Sequence, residues 1–227
     1  MSGNRLALAV MDSKRRVETR TGVSEQWLLV DELLFDGGWF ALDVRNQRVP
    51  GVRPSSLETA LAMVGRGRVA TVVGRLRAGV VAVDVDLVGE RGHAVAEHVA
   101  AWCRREGVWH VVRPSGGADG RIHVVAAVGP RREHLEAEVD SLRRVYGVTS
   151  RMIDVRQALR PLSAPHRGGA CPETLGDPQL AERRLTAALK ALERASRPIG
   201  ATPPSSAPRR TPLVPRRQRR PRALPAV

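Results

Sequence analysis

Residues 80 to 156 alternate between strand and helix patterns, and this alternation limits the possible folds more than any other feature of the sequence. Strands are predicted at Val80–Val88, Val108–Arg113, Arg121–Val128 and Ser150–Arg156. Helices are predicted from Gly92 to Glu106 and up to Tyr146, ended by Gly107 and Gly147. The order is strand–helix–strand–strand–helix–strand, the ferredoxin-like or RRM-like unit of an α+β fold. In that unit the first and third strands are central, the fourth lies beside the first, and both helices cover one face.

Each predicted strand divides its side chains into two sets, because side chains alternate between the faces of a sheet. One set is apolar and is expected beneath the helices: Val81, Val83, Val85, Leu87, Ile122, Val124, Ala126, Val128, Ile153 and Val155. The other set is polar: Asp84, Asp86, Arg121, His123, Asp154 and Arg156. We therefore expect three carboxylates, one histidine and two arginines together on the face that the helices leave open.

Three aspartates on one face repel each other unless a cation lies between them. Carboxylate oxygens without paired cysteines favour Mg²⁺ or Mn²⁺, so Asp84, Asp86 and Asp154 are predicted metal ligands. Such a site suits phosphoryl transfer, which depends on positioning and charge neutralisation. The candidates for binding phosphates, nucleotide or template backbone are Ser115, Gly116, Gly117, Arg121, His123, Arg156, Arg160, His166 and Arg167.

The flanking regions have patterns of their own. Residues 1–20 form an N-terminal segment. Residues 21–78 read as an α/β portion with a helix at Ser24–Phe35 ended by Gly37 and Gly38, a strand at Trp39–Val44, a helix at Ser56–Val64 and a strand at Val69–Gly74. It joins residues 79–170 in one predicted catalytic domain. Residues 171–197 contain an amphipathic helix at Pro178–Ala195, and the Pro- and Arg-rich stretch 198–227 is predicted to be a disordered basic tail.

The net charge of +14 points to a polyanionic partner, since neutralised phosphates release counterions. Seven arginines lie in the tail, and part of the arginine content is also explained by GC-rich coding. The two cysteines form no Cys-x-x-Cys pair, and no apolar stretch approaches the length of a membrane span. We therefore expect a cytoplasmic protein without a membrane partner.

Three sequence motifs resemble those of a known family. Asp84-Val-Asp86 precedes a helix, His123 follows the Ser115-Gly116-Gly117 loop, and Asp154-Val-Arg156 precedes Arg160-Pro-Leu-Ser-Ala-Pro-His166-Arg167. Over residues 20 to 170 the chain resembles the archaeo-eukaryotic primase superfamily, especially the primase-polymerase domains of bacterial plasmids and phages. The family's second motif usually has a small residue where this chain has Arg121.

The resemblance implies template-directed nucleotide polymerisation with Mg²⁺ or Mn²⁺ at Asp84, Asp86 and Asp154. It also implies that His123 contacts the incoming nucleotide. The expected ligands are a single-stranded DNA template and NTP or dNTP, with a separate replicative helicase as a candidate partner.

Two other functions use the same residues. A palm-type nucleotidyl cyclase shares this sheet and a two-metal site, and a non-catalytic replication protein would bind DNA through its arginines. An Asp-x-Asp pair alone is also common at a solvated strand end. A rolling-circle nicking enzyme needs a His-x-His pair, which the chain lacks.

Overall fold

The protein is represented by a computed structural model that describes residues 25–117, 121–170 and 172–196. The predicted segment 1–20 and the predicted basic tail 198–227 lie outside the described residues. The described part is a mixed α+β structure with two antiparallel sheets and five α-helices. None of these helices has both the length and the apolar composition that a membrane crossing requires.

The first sheet is built mainly from the N-terminal portion. After a 3₁₀ turn at Glu25–Trp27, the elements are α1 (Leu28–Leu34), β1 (Phe35–Leu42), α2 (Leu57–Gly65) and β2 (Thr71–Leu76). The short strand β7 (Ala158–Leu159) pairs with β2 and gives the strand order β1-β2-β7. Ser56, the first residue of the predicted helix Ser56–Val64, is the N-cap of α2, because its hydroxyl accepts from the Thr59 N–H at 3.1 Å.

The boundary between α1 and β1 differs from the prediction. Gly37 and Gly38 were expected to end the helix, but they lie within β1 and have φ values of 110° and 64°. The pairing of β1 with β2 shifts register on both sides of Gly37, so the two glycines form a bulge. A Gly-Gly pair signals either a helix end or a bulged strand, and the burial of Phe35 and Trp39 favours the strand.

The second sheet is built from residues 80 to 156. Its elements are β3 (Val80–Val85), α3 (Gly89–Arg105), β4 (His110–Pro114), β5 (Ile122–Ala127), α4 (Arg132–Tyr146) and β6 (Ile153–Arg156). The strand order is β4-β5-β3-β6, with β3 and β5 central as predicted, and all neighbours are antiparallel. A last helix, α5, spans Pro178–Ala195, which are the predicted bounds.

The helix-covered face of the second sheet agrees with the prediction. All ten apolar side chains assigned to it pack with α3 and α4 in one core cluster, and of these ten only Val155 is partly exposed. Gly147, the predicted stop of α4, has the left-handed conformation that ends many helices. The alternation of apolar and polar residues along the sequence therefore correctly predicted which face the apolar side chains of these three strands occupy.

The opposite face is covered over half of its area, which the prediction of an open face did not include. Val80, Ala82, Val125 and Ala127 pack there in a second core with the first sheet, α1 and α5. Within the first sheet, Gly74 on β2 leaves room for the Trp39 ring of β1, since a Cβ atom at Gly74 would lie 2.2 Å from that ring. An apolar N-terminal portion needs a surface to bury, and it takes this half. The polar side chains lie on the other half.

Candidate functional site

Four polar side chains form a row across the second sheet, one from each strand. Asp84 on β3 is directly opposite His123 on β5 and Asp154 on β6, and His123 is directly opposite Arg113 on β4. Residues directly opposite each other on neighbouring strands share a face, so all four belong to the half-covered face. The sequence predicted three of these neighbours. Arg113 was missed, although alternation with Val112 also places it on this face.

Asp86 and Arg121 continue the polar set beyond the row. They lie just after β3 and just before β5, and the Arg121 Nε is 3.6 Å from the Asp86 Oδ1. The side chains of Arg121 and Asp86 are 39% and 31% exposed, whereas the Asp84 side chain is only 5% exposed. Asp84 is therefore at the base of the site and Asp86 is nearer its mouth.

Asp84 lies between two basic side chains. The His123 Nε2 is 3.2 Å from Oδ1, and the Arg156 guanidinium is 2.5 Å from Oδ2. Oδ1 is buried and has no hydrogen-bond partner among the described residues. Burial alone would raise the pKa of Asp84, but His123, Arg156 and Arg121 outweigh it and lower the pKa below its usual value. Asp84 is therefore ionised at neutral pH.

Arg156 also contacts the third aspartate. Its Nε lies 3.4 Å from the Asp154 Oδ2, so one guanidinium bridges Asp84 and Asp154. Asp154 is 41% exposed and has a second arginine, Arg143, at 3.7 Å. The cation that three clustered aspartates require is thus provided in part by the protein itself.

The His123 side chain is only 12% exposed, and burial lowers its pKa below the usual value although Asp84 acts in the opposite direction. The ring is therefore neutral near pH 7. Its Nδ1 has no hydrogen-bond partner among the described residues. Together with the Asp84 Oδ1, this gives the base of the site two buried polar atoms without hydrogen bonds, which is typical of a site that binds a ligand or ion.

The row opens into a cleft of about 550 Å³ between the two sheets. Two aspartates line it, Asp84 and Asp86, and five arginines also line it: Arg48, Arg121, Arg156, Arg160 and Arg167. Of the predicted site residues, Ser115, Gly117, His123 and His166 are part of the lining as well, whereas Asp154 is not. This excess of positive charge suits a ligand with several phosphates.

The Ser115-Gly116-Gly117 loop forms one edge of the cleft. The Gly117 N–H donates to the Ser115 hydroxyl at 3.2 Å. Gly116 has a φ of 77°, and a Cβ atom there would lie 2.9 Å from the His166 Cβ. Glycine is therefore required for the loop to contact His166.

His166 and Arg167 follow at the same edge. Burial, then Arg160 and Arg167, lower the pKa of His166 to about 4, so the ring is neutral at pH 7. Its Nδ1 accepts from the Gly168 N–H at 3.2 Å, which leaves Nε2 as a donor beside Gly117. Arg167 lines the cleft as a partly exposed cation.

The segment 160–165 is held by groups that the sequence did not identify. The Asp31 carboxylate on α1 accepts from the N–H groups of Leu162 and Ser163, both at 2.8 Å. Arg113, with no exposed surface, donates to the carbonyls of Pro161 and Ala164 at 2.6 and 2.7 Å. Asp31 has the sequence context of an ordinary helical surface residue, so no local signal identifies it.

Arg160 also helps to hold the segment 160–165 in place through hydrogen bonds. It is 6% exposed, and its guanidinium donates to the carbonyls of Ala164 and Ser115 at 2.5 and 2.6 Å. It therefore ties the 160–165 segment to the Ser115 loop. The DNA contact expected of Arg160 and Arg167 stays a prediction.

The residues fit a hard divalent cation in part. Within the described ranges, no group of three or more His, Cys, Asp or Glu side chains is arranged to hold a metal ion. Asp84 and Asp86, however, lie two residues apart on one face, both line the cleft, and the Asp84 Oδ1 has no hydrogen-bond partner. Two carboxylates of this kind match the oxygen ligands that Mg²⁺ and Mn²⁺ prefer.

The chain was compared with protein-family models and with curated proteins, and neither comparison found a match.

Proposed function

We propose that this protein is a metal-dependent nucleotidyltransferase of the primase-polymerase kind, which joins nucleotides on a single-stranded DNA template. The row Arg113, His123, Asp84 and Asp154 carries the proposal, because it places ionised carboxylate beside neutral imidazole at the base of an arginine-lined cleft. The strand order β4-β5-β3-β6 supports an RRM-like sheet and, with it, the resemblance to archaeo-eukaryotic primases.

Asp84 and Asp86 would hold Mg²⁺ or Mn²⁺, with Asp154 as the third ligand once the Arg156 guanidinium moves from between the Asp84 and Asp154 carboxylates. When bound, such an ion neutralises charge on the transferred phosphoryl group and on the attacking oxygen. The lowered pKa of Asp84 supports this role, because an ionised carboxylate is the form that binds a cation.

The other residues of the cleft would bind and orient the triphosphate. Arg121, Arg156 and Arg167 are partly exposed cations, and His166 presents a neutral Nε2 donor beside the Gly117 backbone. Neutral His123 would hold the Asp84 carboxylate or a phosphate oxygen through Nε2. Arg113 and Arg160 would act as positioning residues, because their guanidiniums are bound to backbone carbonyls.

The test is primer synthesis and extension on single-stranded DNA with NTP or dNTP and Mg²⁺ or Mn²⁺. The double variant Asp84→Ala/Asp86→Ala should lose incorporation, whereas Asp36→Ala, which removes an aspartate from a surface ion pair with Arg75, should retain it. Undiminished incorporation in the double variant would rule the proposal out. Formation of a cyclic nucleotide without a template would identify a palm-type nucleotidyl cyclase instead.

A non-catalytic DNA-binding replication protein is the second candidate. The observation in its favour is the balance of charge in the cleft, where five arginines face two aspartates and Arg156 already occupies the space between Asp84 and Asp154. Under this function, binding to single-stranded DNA should weaken steeply with salt and should not weaken when the three aspartates are removed. No nucleotide should be incorporated.

In either function the expected setting is cytoplasmic replication of a plasmid or phage. The resemblance supports a separate replicative helicase as partner.

A further inference from the structure

The wall of the cleft opposite the aspartates carries an aromatic ring covered by a cation. Phe40 on β1 is partly exposed, and the Arg48 Cζ lies 4.2 Å from the centre of its ring. Both residues line the cleft. At this distance the ring attracts the Arg48 cation, and this attraction holds the guanidinium over the ring.

The backbone around Arg48 is also fixed. Arg48 pairs with Leu42 in an antiparallel bridge, across a turn in which the Asp43 carboxylate accepts from the N–H groups of Arg45 and Gln47 at 2.9 and 2.8 Å. A chain held at both ends of a short turn has little freedom to withdraw Arg48. The Phe40–Arg48 pair is therefore a prearranged surface.

Aromatic side chains are scarce elsewhere in the cleft. Among the described residues, Phe40 is the only Phe, Trp or Tyr in the lining. Trp27, Phe35, Trp39, Trp102 and Trp109 are all buried in the cores. Any stacking of a planar ligand group on an aromatic ring in this cleft thus depends on Phe40.

We propose that Phe40 and Arg48 form a binding site for a nucleobase. Bases stack on aromatic rings and on guanidinium planes, and the phosphates attached to the base would reach the arginines and the Ser115 loop on the other side of the cleft. This inference rests on the proposed function and adds the place of the base to it. The base belongs either to a mononucleotide or to a single-stranded DNA template.

The experiment measures equilibrium binding to ligands with and without a base. One arm compares a labelled oligothymidylate with an abasic oligonucleotide of the same length, and the other compares dATP with inorganic tripolyphosphate. Phe40→Leu keeps an apolar side chain without a ring, Phe40→Tyr keeps the ring, and Arg91→Gln removes an arginine from a ring outside the cleft, that of Tyr146. All are made in the full chain.

Phe40→Leu should weaken binding of the base-containing ligand about tenfold and that of its base-free partner less than about twofold, since stacking depends on the base. Phe40→Tyr and Arg91→Gln should bind as the unchanged protein does. The arm that responds identifies the source of the base, mononucleotide or template. Equal weakening of base-containing and base-free ligands, or no weakening of either, overturns the inference.

This outcome is separable from that of the proposed function, because binding is measured without synthesis. Base-dependent binding in a protein that incorporates no nucleotide would preserve the inference and reject the polymerase. Incorporation that is insensitive to Phe40→Leu, with no base-dependent binding, would do the reverse.

Discussion

Asp31 and Asp84 are both buried aspartates, yet their surroundings give them opposite properties. Asp31 has no exposed surface, and its carboxylate accepts from neutral N–H and O–H groups of Leu162 and Ser163. Burial raises its pKa to about 6, although those hydrogen bonds and Arg113 act in the other direction. Asp84 lies on the cleft beside His123 and Arg156, and its pKa is lowered.

The difference shows how a buried acid that only holds a segment is distinguished from one that can contact a ligand. Neutral N–H and O–H groups of the 160–165 segment donate to the oxygens of Asp31, which does not line the cleft. Asp84 faces cations, retains one oxygen without a hydrogen bond, and is open to the cleft. Asp31 thus shapes the site through the segment that it holds, whereas Asp84 can contact a ligand directly.

The largest expected difference between Asp84 and Asp31 is in the rate of nucleotide incorporation. Asp84→Asn should lower the rate of nucleotide incorporation by about 10³-fold, because the neutral amide no longer supplies the charge at the reacting centre. Asp31→Asn, which lies outside the cleft, should lower it by less than about tenfold. Steady-state incorporation on a primed template measures both. Equal losses of activity in the two variants would contradict the different roles assigned to Asp84 and Asp31.

The sequence contained most of what positions Asp84 but little of what positions Asp31. Strict alternation on β3, β5 and β6 placed ten apolar residues under the helices and Asp84, His123 and Asp154 on the other face. Asp31 acts on residues more than 130 positions away, and such a contact leaves no periodic pattern. The same applies to Arg48, which reaches the cleft only because the first sheet packs against the second.

The covering of half the face was missed for a related reason. Alternation shows that Val80, Ala82, Val125 and Ala127 lie opposite the helix-covered side, but it does not show which element covers them. The covering elements are the first sheet, α1 and α5, which come from other parts of the chain, so no periodic pattern within the second sheet identifies them.

For stability, the buried Asp31 should matter more than an exposed aspartate that also accepts from two N–H groups. Asp31→Ala leaves the N–H groups of Leu162 and Ser163 buried without an acceptor, and should lower the free energy of unfolding at pH 5 by about 3 kcal/mol. The matched control is Asp43→Ala, which removes an acceptor from two exposed N–H groups that water can satisfy, and should cost less than about 1 kcal/mol. Urea unfolding followed by tryptophan fluorescence measures both, and similar losses would contradict the prediction.

The two acids should also respond oppositely to pH. The pKa of Asp31 is raised from 3.8 to about 6 in the folded protein, so the folded state binds the extra proton between these values. Stability should therefore fall by about 2 kcal/mol as the pH rises from 4 to 6, out of about 3 kcal/mol over the whole titration. The lowered pKa of Asp84 instead contributes stability above 3.8, which is lost as the pH falls through its folded pKa.

The contribution of Asp31 is isolated by comparing the pH dependence of unfolding in the unchanged protein and in Asp31→Asn. The difference between the two curves should slope downward from pH 4 to pH 6 and be flat above pH 7. A difference that slopes upward in this window would mean that the hydrogen bonds from Ser163 and Leu162 outweigh burial at Asp31.

The smallest expected effect concerns the cation that already neutralises Asp84. The Arg156 guanidinium contacts Asp84 and Asp154 at 2.5 and 3.4 Å, and therefore competes with any divalent ion for the same oxygens. Arg156→Gln should tighten binding of Mn²⁺ alone by about tenfold, a modest gain because Arg156 is 44% exposed and solvent screens its charge. Mn²⁺ titration followed by electron paramagnetic resonance measures this binding without any turnover.

The control for the loss of one positive charge is Arg144→Gln, which changes an exposed arginine on α4. Tighter binding in both variants would reduce the effect to net charge, whereas weaker binding in Arg156→Gln would mean that Arg156 holds the two aspartates in the arrangement that the ion needs.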